Sequence, residues 1–272
     1  MPELPEVEMY RRFLEDTSLH QTITGFDAVD PDRQVTVPLD EFRSTILGRN
    51  FTGTHRVGKH LLVLTDTGPV ISLHFGMTGS LAYYKFEEEQ PRFERAYFQF
   101  DNGFKLAFVD SRKFGRIGLA PDVASYIRLK KLGPDALQIS ADELQQALQN
   151  KKGLLKPLLL DQRITAGIGN WIVDDVLFQA RLHPERQAGS LTKTEIKNLT
   201  KSLHYVLKTA IDHEAEYGNF PVNFLIHARE WDDSPYTEAE MHKHCPNCQT
   251  GITKSYVGGR ATYLCPACQP KP

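Results

Sequence analysis

All four cysteines of this 272-residue chain fall in its last 28 residues, as Cys245-x2-Cys248-x16-Cys265-x2-Cys268. No other feature restricts the fold of a segment so tightly. A close cysteine pair puts two thiolates on one tight turn, and two such turns facing each other complete a tetrahedral Zn²⁺ site. Two disulfides or free thiols are the alternative, and a reducing cytosol disfavours the disulfides. The pattern predicts one structural Zn²⁺ held by Cys245, Cys248, Cys265 and Cys268. Four thiolates close the coordination sphere, so this metal would not be catalytic. His242 and His244 lie nearby but are not needed as ligands. Between the pairs sits Tyr256-Val257-Gly258-Gly259-Arg260, a Gly-Gly turn tipped by a cation. By itself that is compatible with phosphate binding or with no ligand.

The rest of the chain changes character midway. Residues 60–65 and 70–75 are apolar runs flanking Asp66-Thr67-Gly68-Pro69, a turn signal. Residues 97–100 and 104–109 flank Asp101-Asn102-Gly103, and Asn-Gly between such runs marks a hairpin. Hairpins at this spacing suggest a sandwich or barrel. One helix is expected first, over residues 5–16, with proline in its first turn. Near Leu132-Gly133-Pro134-Asp135 the pattern turns helical. Ser140 with Glu143, and Thr192 with Glu195, form capping boxes that open helices over 140–149 and 192–212. Residues 153–160 and 170–180 are two further helical stretches, and 224–229 is expected to be a strand. Lys193, Lys197, Lys201 and Lys208 read as a solvated face.

Composition excludes several classes. With 40% hydrophobic and 24% charged residues the chain is ordinary globular protein, neither disordered nor fibrous. It has no apolar run of membrane-spanning length, so no membrane partner is expected. The acidic, proline-rich start is unlike a signal peptide, which predicts a cytoplasmic protein. A net charge of −2 gives no sign of a nucleic-acid binder. The charge is segregated, however. Acids crowd residues 230–240, and residues 241–272 hold four basic residues and no acid, so a local basic surface is possible.

The N-terminus carries a second chemical possibility. Methionine before proline is usually removed, which would leave Pro2 as an α-amine. Such amines titrate near roughly 7.7–8 and are nucleophilic at neutral pH. Glu3 beside it is a candidate general acid or base. The plainer alternative is that Pro2 only begins a helix.

The string Pro2-Glu3-Leu4-Pro5-Glu6-Val7-Glu8 closely resembles the opening of the formamidopyrimidine-DNA glycosylase / endonuclease VIII family. Further matches follow in family order. Gly58-Lys59 resembles its lysine motif. His74-Phe75-Gly76-Met77-Thr78-Gly79 and Asp110-Ser111-Arg112-Lys113-Phe114-Gly115 resemble its intercalation loops. Ala166-Gly167-Ile168-Gly169-Asn170 resembles the turn of its helix–two-turn–helix, and Gly259-Arg260 its zinc finger. The resemblance implies a multidomain α and β protein: an N-terminal antiparallel β-sandwich over residues 1–131, a helical helix–two-turn–helix domain over 132–239, and a zinc-finger hairpin over 240–272. Damaged double-stranded DNA would bind in the cleft between, with the protein a monomer.

The same resemblance implies an activity. The enzyme would flip an oxidised purine out of the duplex, excise it, and cleave the strand by β,δ-elimination. Pro2 would attack C1′ to give an iminium. Glu3 would protonate the opening sugar, Lys59 would contact phosphate and assist the first elimination, and Arg260 would serve the second. Met77 matches the residue that fills the hole left by the flipped base, Phe114 the wedge, and Arg112 the group facing the widowed base. Lys151, Lys152, Lys156 and Asn170 are expected at phosphates. An endonuclease VIII-like enzyme for oxidised pyrimidines, or a damage-binding protein that no longer cuts, are the alternatives. Intact Pro2, Glu3 and Lys59 argue against the latter. Two departures stand out. Residues 213–223 are shorter than the family's lesion-capping loop, which predicts a preference for formamidopyrimidines and hydantoins over 8-oxoguanine. Residues 230–244 are longer than usual and acidic, and are expected at the surface.

Overall fold

The computed structural model describes residues 1–229 and 243–271, so the core of the acidic 230–244 stretch lies outside the described residues. The chain divides into two compact units, Met1–Lys131 and Leu132–Pro272.

The first unit opens with α1 (Leu4–Ser18), where Pro5 lies in the first turn and Glu3 and Glu6 close a capping box. Leu4, Val7 and Leu14 turn one stripe of it inward. Then come β1 (Ile23–Ala28), α2 (Pro31–Gln34), α3 (Leu39–Ile46), β2 (Phe51–Val57), β3 (His60–Thr65), β4 (Val70–His74), β5 (Gly79–Lys85), β6 (Glu94–Phe100), β7 (Phe104–Asp110), β8 (Arg116–Ala120) and α4 (Val123–Lys130). Two four-stranded antiparallel sheets result, ordered β1-β6-β7-β5 and β2-β3-β4-β8. The expected hairpins are present, and Gly103 takes the positive φ (82°) that the Asp101-Asn102-Gly103 turn needs.

Strict alternation of buried and half-buried residues along β6 shows why this half makes a sandwich, with one face of the strand feeding a core. Phe26, Phe42, Phe51, Phe75, Phe98, Phe100 and Phe108 fill that core together with Leu14 of α1. Each fully buried phenylalanine contributes about 1.5–3 kcal/mol, so this unit needs no covalent staple.

The second unit contains α5 (Ala141–Leu148), α6 (Leu155–Leu160), α7 (Asn170–Gln179), α8 (Lys193–Asp212) and a terminal hairpin of β9 (Thr253–Val257) and β10 (Arg260–Leu264). Both predicted capping boxes are formed, at Ser140–Glu143 and Thr192–Glu195. Lys193, Lys197, Lys201 and Lys208 are exposed, while Ile196, Leu199, Leu203 and Leu207 pack inward.

The expected strand at 224–229 is instead a 3-10 turn over Leu225–Ala228. The run is apolar because it is buried, with Phe224, Leu225 and Ile226 each 1% exposed. Its backbone bonds go elsewhere than to a ladder: Leu225 N–H donates to Asp175 at 2.5 Å. Short apolar runs do not distinguish these outcomes.

Candidate nucleic-acid interface and zinc centre

Pro2 and Glu3 lead into the start of α1. Pro2 is half-buried behind an exposed Met1, and Glu3 is only 3% exposed. Glu3 N–H donates to Glu6 Oε2 at 3.0 Å, so the capping box fixes the residue beside the candidate nucleophile. Lys59 sits in the two-residue Gly58-Lys59 turn of the β2–β3 hairpin, closed by the Val57–His60 pair. Gly58 takes φ +56°, as the first position of a type II′ turn requires. Lys59 is 9% exposed.

One arginine ties these two places together. Arg56 Nε donates to Glu8 Oε2 of α1 at 2.9 Å, and its Nη1 donates to the Gly58 carbonyl at 3.1 Å. Glu8 also accepts from Arg11 at 2.7 Å. Burial alone would raise the Glu8 pKa; hydrogen bonds from Arg11 and Arg56 overcome it and hold the carboxyl below its ordinary value. No sequence motif marks Arg56 for this role beyond its place three residues before Lys59.

Met77, Arg112 and Phe114 lie on two adjoining loops, β4–β5 and β7–β8, and all three are exposed. The loops touch at Gly76, where a Cβ would come within 2.6 Å of the Phe114 backbone. Buried Asp110 organises both. It accepts from Thr78 Oγ1 (2.5 Å), Arg112 N–H (3.1 Å) and Gly115 N–H (2.7 Å). The Arg112 guanidinium carbon stands 5.3 Å from the Phe114 ring centroid. A fork of donors and two apolar side chains thus project from one rigid base. Asp110 and Thr78 are in the motifs quoted above, but their anchoring role is visible only in the structure.

A histidine pair beside this region was not foreseen. His60 and His74 pair across β3 and β4 with ring centroids 4.8 Å apart. They line a cavity of about 440 Å³ with Thr36, Ser72, Arg116, Tyr126 and Lys130. Burial, then the charges of His74, Lys130 and Lys59, push His60 down to about 3. Burial, then Lys59, Lys130 and Arg116, push His74 down to about 4. Both rings are therefore neutral at pH 7, and His74 Nδ1 accepts the Gly76 N–H at 3.4 Å. Among the described residues the wall carries two cations, Arg116 and Lys130, and no carboxylate.

In the second unit, the turn before α7 is stapled by Gln162. Its side chain accepts from Gly167 N–H at 2.9 Å and donates to the Ile168 carbonyl at 3.0 Å. Asn170 is the first residue of α7, with its Nδ2 on the Ala261 carbonyl (3.1 Å) and its Oδ1 buried without a partner among the described residues. Lys151 and Lys152 are exposed as expected.

Lys156 corrects its expectation. It is 0% exposed, and its Nζ lies 2.7 Å from Asp174 Oδ1 and 2.8 Å from both the Ala261 carbonyl and Thr262 Oγ1. A buried ammonium must be fully paired, so this charge is committed inside the unit and is not displayed to phosphate.

Residues 213–223 form a closed turn. Tyr217–Asn219 is a 3-10 turn, and Tyr217 and Phe220 pack on Trp171 of α7 with ring centroids 5.7 Å away in each case.

The hairpin carries Arg260, exposed just after a Gly258-Gly259 turn whose φ values, +58° and +75°, fit a type I′ turn. Its four sulfurs lie within 4.8 Å of one another. Cys245–Cys268, Cys248–Cys265 and Cys248–Cys268 are 3.8, 3.5 and 3.5 Å apart. Zinc with Zn–S bonds of about 2.3 Å needs sulfur–sulfur edges of about 3.8 Å, so the donor set fits the ion. Asn247 N–H and Cys268 N–H donate to Cys245 and Cys265 sulfur, each at 3.4 Å, as suits thiolates. His244 is exposed and outside the cluster, and His242 lies outside the described residues.

Comparison with known proteins agrees along the whole chain. A model of the formamidopyrimidine-DNA glycosylase N-terminal domain matches residues 1–117, and one of the formamidopyrimidine-DNA glycosylase H2TH domain matches residues 132–220. The formamidopyrimidine-DNA glycosylase of Pelotomaculum thermopropionicum is 35% identical over 99% of each chain. That of Arabidopsis thaliana is 36% identical over 85% of this chain, which spans 63% of that protein's length. Among solved structures, Lactococcus lactis formamidopyrimidine-DNA glycosylase bound to DNA containing an abasic site is similar at a TM-score of 0.85 and 28% identity, over 99% of this chain and 100% of the other. The same enzyme with Fapy-dG DNA gives 0.84, with the same identity and coverage. With both domain models matched in order and a relative 35% identical over its full length, the chain belongs to the formamidopyrimidine-DNA glycosylase family.

Proposed function

We propose that this protein is a base-excision repair glycosylase and abasic-site lyase for oxidised purines in double-stranded DNA. The observation that carries the reading is the start of α1, where Pro2 leads into a buried, capped Glu3. Once Met1 is removed, the Pro2 nitrogen attacks C1′ of the flipped nucleotide. The bond from C1′ to the base breaks, and Glu3 protonates the opening sugar oxygen. The resulting iminium draws electrons from C2′, a 2′ proton leaves, and the 3′ phosphate departs. A second elimination releases the 5′ phosphate. The wall formed by neutral His74 with the cations Arg116 and Lys130 suits backbone phosphate, and Lys59 is its partner on the neighbouring turn.

Met77, Arg112 and Phe114 fill and prop the site of the flipped base, and the donor-only fork of Arg112 suits the acceptors of cytosine. Lys151, Asn170 and Arg260 serve as phosphate contacts. One Zn²⁺ on the four cysteines holds the hairpin in shape and takes no part in the chemistry. Residues 1–131, 132–239 and 240–272 then act as catalytic, helix–two-turn–helix and finger modules of a monomer, working in the cytoplasm on the chromosome. No helix among the described residues is long and apolar enough to cross a membrane.

Borohydride trapping on abasic-site duplex tests the reading. Processed protein should become covalently joined to DNA, and an N-terminally blocked form should not. Glu3→Gln should keep DNA binding while slowing base release by on the order of 10²–10⁴. Equal trapping by the blocked form would overturn the assignment of Pro2.

A further inference from the structure

The ions around Lys156 are arranged about one short piece of backbone. Lys156 Nζ has three N–H groups, and three acceptors surround it: Asp174 Oδ1, the Ala261 carbonyl and Thr262 Oγ1. Asp174 Oδ2 in turn accepts from Tyr263 N–H at 3.2 Å and from Arg229 Nη1 at 2.7 Å. Asn170 Nδ2 takes a second bond on the Ala261 carbonyl. Thr262 Oγ1 donates to the carbonyl of Arg260 itself, at 3.0 Å. On the other side of the turn, Gly258 lies against Pro157, where a Cβ would approach Cγ to 2.6 Å. The backbone on both sides of Arg260 is therefore held, by two neighbouring residues of α6 and by two residues of α7. Arg260 projects from between these holds with its own side chain exposed.

Hydrophobic packing under Cys245, Tyr263 and Cys265 already attaches the hairpin to Phe178 and Leu225. Such packing is non-directional and tolerates sliding. Buried charges do not tolerate it. Slipping the hairpin by one residue would separate Lys156 and Asp174 from the groups that offset their desolvation. We propose that Lys156 and Asp174 are positioning residues for Arg260: their buried ion pair sets the place and register of the finger tip, and so where the Arg260 guanidinium meets phosphate. The proposal rests on the reading of Arg260 as a group that serves the second elimination.

Lys156→Met is the sharpest variant. It keeps the length and apolar stem of the side chain, and it leaves Asp174 paired with Arg229 and Tyr263 N–H. It should retain stoichiometric zinc and release base within about threefold of wild type, while the second elimination slows by about tenfold or more. Arg260→Ala should slow the second elimination more strongly still. The deciding measurement is the double variant. If Lys156 acts through Arg260, Lys156→Met adds nothing in an Arg260→Ala background, because residues coupled through one function are non-additive. A full further tenfold loss in that background, or an unchanged second elimination in the single variant, overturns the positioning role. If Arg260→Ala alone eliminates normally, the reading of Arg260 fails, and the proposal falls with it by a distinguishable route. Should Lys156→Met lose zinc or fail to fold, Thr262→Val removes one acceptor of Lys156 together with the hydroxyl donor to the Arg260 carbonyl, and no charge. It should give the same selective loss in smaller degree, and an unchanged product ratio from folded Thr262→Val refutes the proposal.

Discussion

Arg56→Met tests how α1 and the lysine turn are joined. The Arg56 side chain is 6% exposed and that of Glu8 is 12% exposed, so this is a largely desolvated pair. Removing one member of such a pair costs about 3–5 kcal/mol when the other is left unpaired. Here Glu8 keeps Arg11 at 2.7 Å, so that limit is not reached. What is lost is one charged hydrogen bond, about 1.5–3 kcal/mol, and a donor to the Gly58 carbonyl, about 1 kcal/mol, partly offset by methionine packing. The net loss is about 2–3 kcal/mol. At about 4 °C per kcal/mol for a unit of this size, the melting temperature should fall by roughly 8–12 °C.

Arg56→Lys should recover only part of this, because an ammonium lacks the fork that reaches both Glu8 and Gly58. The pH dependence has a defined sign. The folded Glu8 pKa lies below its ordinary value of 4.5, so the carboxylate contributes stability above that value and loses it as pH falls through the folded pKa. Arg56→Met should move that acid loss to higher pH. Calorimetry from pH 3 to 7 measures both effects. A melting temperature within about 2 °C of wild type at pH 7 would show that the bridge does not hold α1 to the turn.

Elemental analysis should find one zinc per chain, and Cys265→Ser should loosen the hairpin and weaken abasic-DNA binding, since metal binding and local folding are linked; folded protein with four free thiols and no zinc would refute this. Single-turnover excision opposite cytosine should be faster for formamidopyrimidines and hydantoins than for 8-oxoguanine, because residues 213–223 are folded onto Trp171 and offer little chain to cap a base. Faster release of 8-oxoguanine would show that this short turn still recognises it.

What could be read from the sequence was chemistry fixed by local backbone geometry. The cysteine spacing predicted a four-sulfur cluster because two residues between thiolates allow one kind of turn. Asp101-Asn102-Gly103 and Gly258-Gly259 predicted hairpins because their positive φ values admit few other residues. The two capping boxes marked helix starts within a residue, since the reciprocal bonds are made inside one turn. Candidate site residues in distinctive strings, such as Met77, Arg112 and Phe114, could be named, and they are brought onto adjoining loops. Their anchor could not be named: Asp110 works through contacts across 32 residues of chain to Thr78.

Lys156 shows the same limit from the other side. By sequence it is a third lysine after Lys151 and Lys152, and a lysine near a DNA-binding turn is read as a phosphate contact. Its burial is decided by Asp174, 18 residues later, and by Thr262, 106 residues later. Neither residue is unusual by itself. Only when α6, α7 and β10 pack do three acceptors converge on one ammonium. The apolar run before Arg229 was misread for a related reason, because Asp175 of α7 takes a backbone N–H that a strand would have given to a neighbour. In both cases one buried side chain of the adjacent pair Asp174-Asp175 overrode the local signal. Through Asp174 the helix holds the finger, and through Asp175 it holds the 3-10 turn at Leu225 that follows residues 213–223. The finger proposed to contact phosphate and the turn that follows the segment proposed to govern lesion choice are thus held by consecutive residues of α7, so a substitution at either should alter one of the proposed functions while sparing the other.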